Sequence, residues 1–226
     1  MSERRGLDGA RGKPWEVTSF GDLDSVPLFD GLVWHPVRRR LGIQAFGINA
    51  YTAEKPGQLV VEEHDEKGDG GAGGHEELYV VVSGKATFTL GGETVEAPAG
   101  SLVFISDPTV RRKAVADERD TLVLAIGGVP GKAFEVSAWE TYFSAMPAFR
   151  EQRYEDAIAL MEEGLRERPS HPALLYNLAC AESLAGRPLD AITHLQQAIA
   201  ADPKWAEQAR ADADFDPIRR EPGFPS

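Results

Sequence analysis

The chain has a single cysteine, Cys180, among 226 residues, which excludes an internal disulfide. It lies in an apolar, helix-patterned stretch and reads as a small buried residue rather than a nucleophile. No run approaches the roughly 18 consecutive apolar residues that a membrane-spanning helix requires. Basic residues are also scarce, with 24 Lys and Arg against 36 Asp and Glu and a net charge of −12. A surface of that sign repels a phosphate backbone, so nucleic acid is not an expected partner. One short basic run, Arg38 to Arg40, reads as a solvated strand face. Residues 1–14 carry charges and glycines but no apolar core of a secretion signal. The expectation is a cytoplasmic protein with neither a membrane nor a nucleic-acid partner.

The hydrophobic fraction of 42% and charged fraction of 27% are those of an ordinary globular protein, and the length accommodates two modest domains. Two periodicities divide the chain. Between about 32 and 129, short β-rich segments are separated by Gly, Pro and Asp, the pattern of an antiparallel barrel or sandwich. Residues 65–74, charged and then glycine-rich, read as a long loop. Beyond Pro130 the period becomes helical. Tyr154-Glu155-Asp156-Ala157-Ile158 and Pro188-Leu189-Asp190-Ala191-Ile192 are related by a shift of 34 residues, which also relates Met161 to Leu195, Gly164 to Ala198 and Pro169 to Pro203.

The helical half resembles the tetratricopeptide repeat, whose period is 34 residues. In the better unit, Leu175, Leu178 and Ala179 occupy the family's packing positions in the first helix, Ser170-His171-Pro172 opens that helix and Gly186 ends it. In the poorer unit Thr141, Ser144 and Ala145 stand where large apolar residues are expected, and Pro147 should break or kink the helix. A final capping helix is expected over 205–211. Two repeats and a cap fall short of the three or more that a free-standing array needs, so the helices should pack on the rest of the chain or on a partner subunit. The resemblance implies a surface for a protein or peptide partner, assigned to Leu175, Tyr176, Leu178 and His194.

The first half carries Glu77-x6-Gly84 and then Gly92-x5-Pro98-x-Gly100. Together these are similar to the two motifs of the cupin superfamily, over roughly 32–128. The resemblance implies a fold that is mainly β, a cupin barrel or jelly roll, followed here by α-helices: an extension over 1–30, a cupin domain over 31–134, a helical region over 137–215 and a tail over 216–226. It also implies a homodimer formed through the cupin domain.

In cupins three histidines and one glutamate hold a divalent metal, usually iron, manganese, zinc or nickel. This chain departs from that set. Glu77 is retained, but the two preceding histidines are replaced at best by His64-Asp65-Glu66, placed across a loop insertion. Where the last histidine is expected, eleven residues after Gly100, stands Arg111, and a guanidinium cannot coordinate a cation. Strand alternation would turn His64 and Glu66 inward, and Arg111 would pair with Glu77. The expected cavity set is therefore His64, Glu66, Glu77, Arg111 and Tyr79. The alternative is a metal set of His64, His75 and Glu77, a 2-His-1-carboxylate arrangement able to hold iron.

Three functions stay open on these residues. One is a non-catalytic module that binds a small anionic ligand or serves as a dimerisation core while its repeat helices bind a protein. Another is a metal-dependent dioxygenase or isomerase. The third is a purely structural assembly protein whose cavity is filled by side chains. Trp34 and His35 could line the barrel mouth but read as structural packing. Ser83 and Ser101 have no partners for nucleophilic catalysis, and residues 68–74 lack the strand-loop-helix context of a phosphate loop.

Overall fold

The fold was analysed in a computed structural model that describes residues 17–67 and 73–225. The expectations for residues 1–14 and for the centre of the 65–74 loop fall outside that range. Ten strands form two antiparallel sheets. The first takes the order β1-β2-β3-β10-β5-β8, made of Val26–Pro27, Leu32–His35, Gly47–Ala53, Thr121–Gly128, Glu76–Ser83 and Leu102–Ile105 in that order. The second takes the order β4-β9-β6-β7, made of Leu59–His64, Arg112–Ala116, Lys85–Leu90 and Glu93–Pro98.

Alternation along the strands assembles the core between the sheets. On β5, Tyr79 and Val81 are fully covered while Val82 is exposed, and β6 contributes Ala86 and Phe88. On β9 the inward residues are Arg112, Ala114 and Ala116. All of these inward residues except Arg112 join Ala53, Val60, Ile105 and Val123 in one apolar cluster. Two antiparallel sheets facing each other across this core form a jelly roll, followed by helices, which is the arrangement that the motif resemblance implies.

Gly84 explains the glycine of the first motif. Its φ is +71°, and a Cβ there would lie 2.4 Å from the Thr121 hydroxyl and 2.8 Å from the Thr121 Cα. Left-handed backbone and a backbone neighbour both refuse a side chain. Gly84→Ala is expected to destabilise the protein by about 2 kcal/mol or more, read as a lowered midpoint in chemical denaturation with an unchanged slope.

The basic run is not a strand face. Pro36 and the left-handed Gly42 (φ +66°) bound a short helix α1, Val37–Leu41. A single turn sends successive side chains in different directions, so Arg38 is buried while Arg39 and Arg40 face solvent.

Five further helices follow: α2 Ala138–Arg150, α3 Tyr154–Glu167, α4 Pro172–Leu184, α5 Pro188–Ala201 and α6 Lys204–Ala211. The starts of α2 and α4, like those of α3 and α5, are 34 residues apart (172 − 138 and 188 − 154). Pro172 stands at the first position of α4, and Gly186, at φ +75°, follows its end.

The unpromising first unit has a packing reason. A Cβ on Gly164 would meet Thr141 at 2.7 Å, so the small residues of α2 sit in the groove that Gly164 leaves. Pro147 does not break α2, which runs on to Arg150. A 3-10 helix over Ala213–Ile218 runs from the helical region into the stretch expected as a tail, burying Phe215 and Ile218, and Phe224 packs on the same cluster.

The helices pack on the cupin half, as the shortfall of repeats requires. Trp34, fully buried on β2, meets Trp139 at 6.1 Å and Phe143 at 5.9 Å between ring centroids, both edge-to-face. Beside them Arg38 grips Glu140 in a two-pronged pair at 2.7–3.0 Å.

Candidate functional site: a self-paired charge cluster under an aromatic roof

A cavity of about 260 Å³ opens between the sheets, lined by residues of β3, β4, β5 and α2. Its polar end is built by three strands. His64 ends β4 and stands directly opposite Arg112 on β9, while Glu77 and Tyr79 project from β5 and Glu66 follows β4. The Glu77 Oε2 atom is the hub. It accepts from the Tyr79 hydroxyl at 2.6 Å and lies 3.3 Å from Arg112 Nη1 and 3.7 Å from His64 Nε2. His64 Nε2 also lies 3.5 Å from Glu66, and Arg112 Nη1 lies 4.0 Å from it.

The arginine that enters the site is Arg112, not Arg111. Arg112 is fully buried, whereas Arg111 faces solvent and donates to Glu63 at 2.6 Å. Counting from Gly100 missed the inward register by one residue, and on a strand one residue reverses the face. The Arg111–Glu63 pair is exposed, and pairs of that kind add little to stability. The expected pair of Arg111 with Glu77 is not formed; the arginine beside Glu77 is Arg112.

His75 is buried, but it packs its ring on Phe134 at 5.8 Å in a small adjoining chamber. The His/carboxylate group able to converge on one ion is His64, Glu66 and Glu77, whose ligand atoms lie within 4.8 Å of one another. Burial pushes the His75 imidazole below its ordinary range, with the charges of Glu66 and Glu77 acting the other way.

Helix α2 adds Trp139 and Phe143 to the cavity wall, which also includes Leu28, Leu32 and Val61. Neither aromatic was assigned to the site from the sequence. The signal was present as an aromatic pair at i and i+4 on a helix whose repeat-facing side is small. Trp34 and His35 do not line the cavity: Trp34 is core, and His35 hydrogen-bonds to Thr52 and to the Asp24 carbonyl.

Charge settles how the polar end behaves. Burial works against a charged His64, but hydrogen bonds to Glu66 and Glu77 outweigh it and raise its pKa to about 10. For Glu77, burial acts to raise the pKa, yet donors from His64 and Tyr79 and the charges of His64 and Arg112 bring it below the usual carboxylate value. Two cations thus face two carboxylates. A group whose folded pKa is raised stabilises the fold fully below its unfolded value, ordinarily 6.5, and loses that contribution as pH rises towards about 10. The melting temperature is therefore expected to fall between pH 7 and pH 10, and His64→Gln to flatten that slope. Parallel slopes for the two proteins would assign the effect to another group.

A divalent metal fits this donor set poorly. His64 donates from Nδ1 to the Glu62 carbonyl at 2.8 Å, which turns Nε2 toward the carboxylates much as a metal ligand would be turned. Arg112 decides the matter. Its guanidinium is wholly enclosed and lies 3.3 Å from the carboxylate oxygen that an ion would use. An added double positive charge would meet an enclosed cation beside a carboxylate whose charge is already matched.

The partner surface assigned to the helices is also corrected. Leu175, Tyr176 and Leu178 are buried on a helix that is covered on nearly every face. Tyr176 instead donates to Asp212 at 2.8 Å. Such a helix is the centre of its bundle. His194 is partly exposed and paired with the buried Glu182 at 2.8 Å. Cys180 is buried, and burial, with the nearby charges of Asp212 and Asp214, pushes its thiol well above the ordinary range.

Fold and site together describe a two-sheet antiparallel jelly roll whose cavity is lined in part by α2, the helix that leads into the tetratricopeptide-like region. Residues 148–214 match the family model described as tetratricopeptide repeat. No curated protein matches the sequence. Among solved structures, the chain is similar to KdgF from Halomonas sp., at 16% identity over 54% of this chain and 96% of that one, with a TM-score of 0.40. It is similar to an RmlC-like cupin from Shewanella frigidimarina at 15% identity, over 50% and 91% of the two chains, with a TM-score of 0.38. A third is a proposed sugar phosphate isomerase from Acidithiobacillus ferrooxidans, at 23% identity and a TM-score of 0.36, where the match covers 42% of this chain but only 58% of the relative's length. No helix among the described residues is long and apolar enough to cross a membrane.

Proposed function

We propose that this chain is a non-catalytic ligand-binding and scaffolding protein, in which a cupin unit over about 31–134 holds a small molecule and the helical region engages a protein partner. The observation that carries the reading is Arg112, buried without exposure against Glu77. It occupies the charge that a metal would bring, and so removes the chemistry on which a dioxygenase or isomerase of this fold would rest. The shared wall gives the two halves a common task. Trp139 and Phe143 belong to the helical region yet roof the cavity, so a molecule bound there touches the element that packs against the repeat. The free edge of the larger sheet supports a homodimer through the cupin unit: β8 exposes Leu102 and Phe104 beside Val82, and unpaired apolar edges are natural pairing surfaces.

The second reading, a metal-dependent enzyme, is favoured by the convergence of His64, Glu66 and Glu77. Elemental analysis of protein purified without chelator separates the two. The expected result is metal far below one equivalent and a melting temperature unmoved by EDTA. Stoichiometric iron, manganese, zinc or nickel that disappears in His64→Ala would establish the enzyme reading instead.

A further inference from the structure

The chemical character of the cavity wall singles out one class of ligand. Four carboxylates line it, from Glu62, Asp65, Glu66 and Glu77, and the one cationic side chain in the lining is His64. Most of this charge is already matched. Glu77 is held by Tyr79 and Arg112, Glu66 by His64, and Asp65 lies 3.6 Å from Lys67. Glu62 is the remainder. It is half-buried, and among the described residues its carboxylate makes no hydrogen bond or close ion pair; burial raises its pKa, with the more distant charge of His64 acting the other way.

A second unmatched acceptor lies next door. Asn49 is 6% exposed, and its Oδ1 is buried with no partner. It lines the small polar chamber that shares Tyr51, Glu66, Glu77, Ala125 and Trp139 with the main cavity. A buried acceptor without a donor is costly unless something supplies one. Four aromatic side chains, Tyr51, Tyr79, Trp139 and Phe143, make up much of the remaining wall. Aromatic faces attract cations, more strongly when the pair is withdrawn from water. The field points the same way: burial first, then the charges of Glu77, Glu62, Glu140 and Glu66, push the Tyr51 phenol well above its ordinary range.

We propose that the cavity binds a small organic cation, an ammonium group carried on an apolar or aromatic body, with the nitrogen at Glu62 and the body against Trp139 and Phe143. The surplus acceptors call for a donor, the surplus carboxylate for a positive charge and the aromatic roof for an apolar remainder. A volume of about 260 Å³ restricts the ligand to less than drug size. An anion, the ligand expected from the sequence, would face four carboxylates, and the Arg112 guanidinium, although its Nε and Nη1 have no hydrogen-bond partner, is fully buried and does not line the cavity. The inference rests on the reading of the cupin unit as a ligand-binding module.

The test is calorimetric titration of the full chain at pH 7 with a charge series of similar shape: benzylamine, phenethylamine and tyramine against benzyl alcohol and benzoate. The amines are expected to bind at least about tenfold more tightly than the alcohol or the acid, and Glu62→Gln to abolish most of that preference without moving the melting temperature. The series on the wild-type protein needs no variant to fold. Benzoate binding as tightly as the amines, or amine affinity unchanged in a folded Glu62→Gln protein, overturns the cation assignment while leaving a ligand-binding cavity. Absence of binding by all five probes overturns the cavity's role in ligand binding along with it.

Discussion

Arg112→Ala is expected to lower stability by about 3–5 kcal/mol, because removing one partner of a buried ion pair strands the other. For a chain of this size that corresponds to a fall of roughly 6–20 °C in melting temperature. The structural reason is local. Arg112 is fully buried with Nη1 3.3 Å from Glu77 and 4.0 Å from Glu66, and His64 alone cannot neutralise both carboxylates. Arg111→Ala is the paired control and should leave the transition where it is, since Arg111 lies in solvent and its partner Glu63 is also exposed. Equal effects from the two substitutions, or a larger effect from Arg111, would mean that the register of β9 is wrong.

A loss of similar size is expected from Glu140→Ala, but with a different location. The Arg38–Glu140 pair is buried on both sides, with side-chain exposures of 8% and 3%. Without Glu140, the enclosed guanidinium would keep the Ile43 carbonyl and the face of Phe134. About 3–5 kcal/mol is again the expected cost. The pair ties α2 to the cupin half, so hydrogen exchange should show early opening of α2 and of the segment around Trp34, with the inter-sheet core still protected. Uniform loss of protection throughout the chain would show that the pair holds the whole fold rather than this seam.

What the sequence made legible were the demands of the backbone and of repetition. Gly84 and Pro98-x-Gly100 mark places where only certain residues fit, and both occupy the turns they imply. The 34-residue shift survives weak local signals because two helix pairs obey it at once. The misses have their own physics. Strand β9 reads Arg112-Lys113-Ala114-Val115-Ala116, with apolar residues on both parities, so alternation alone does not say which arginine turns inward. Bulges in β4 at 59–61 and 61–64 add a further shift of register. Leu175, Tyr176 and Leu178 were read as a surface although α4 is apolar on nearly every side, which is the mark of a central helix. The aromatic roof came from contacts more than one hundred residues apart in sequence, between Trp34 and Trp139, and no local pattern encodes such a meeting. At the site itself, the retained Glu77 was legible, and so was the replacement of a histidine by an arginine. Only the three-dimensional register showed which arginine stands beside the glutamate.

The account stands on one claim, that the charge facing Glu77 belongs to Arg112 and leaves no room for a metal. A crystal structure grown with excess zinc or manganese, with anomalous scattering collected at the metal edge, tests it directly. The expected map has no anomalous peak at the cavity and keeps Arg112 beside Glu77. A peak about 2.0–2.2 Å from His64 Nε2 and a Glu77 oxygen, with the Arg112 guanidinium displaced, would contradict the account.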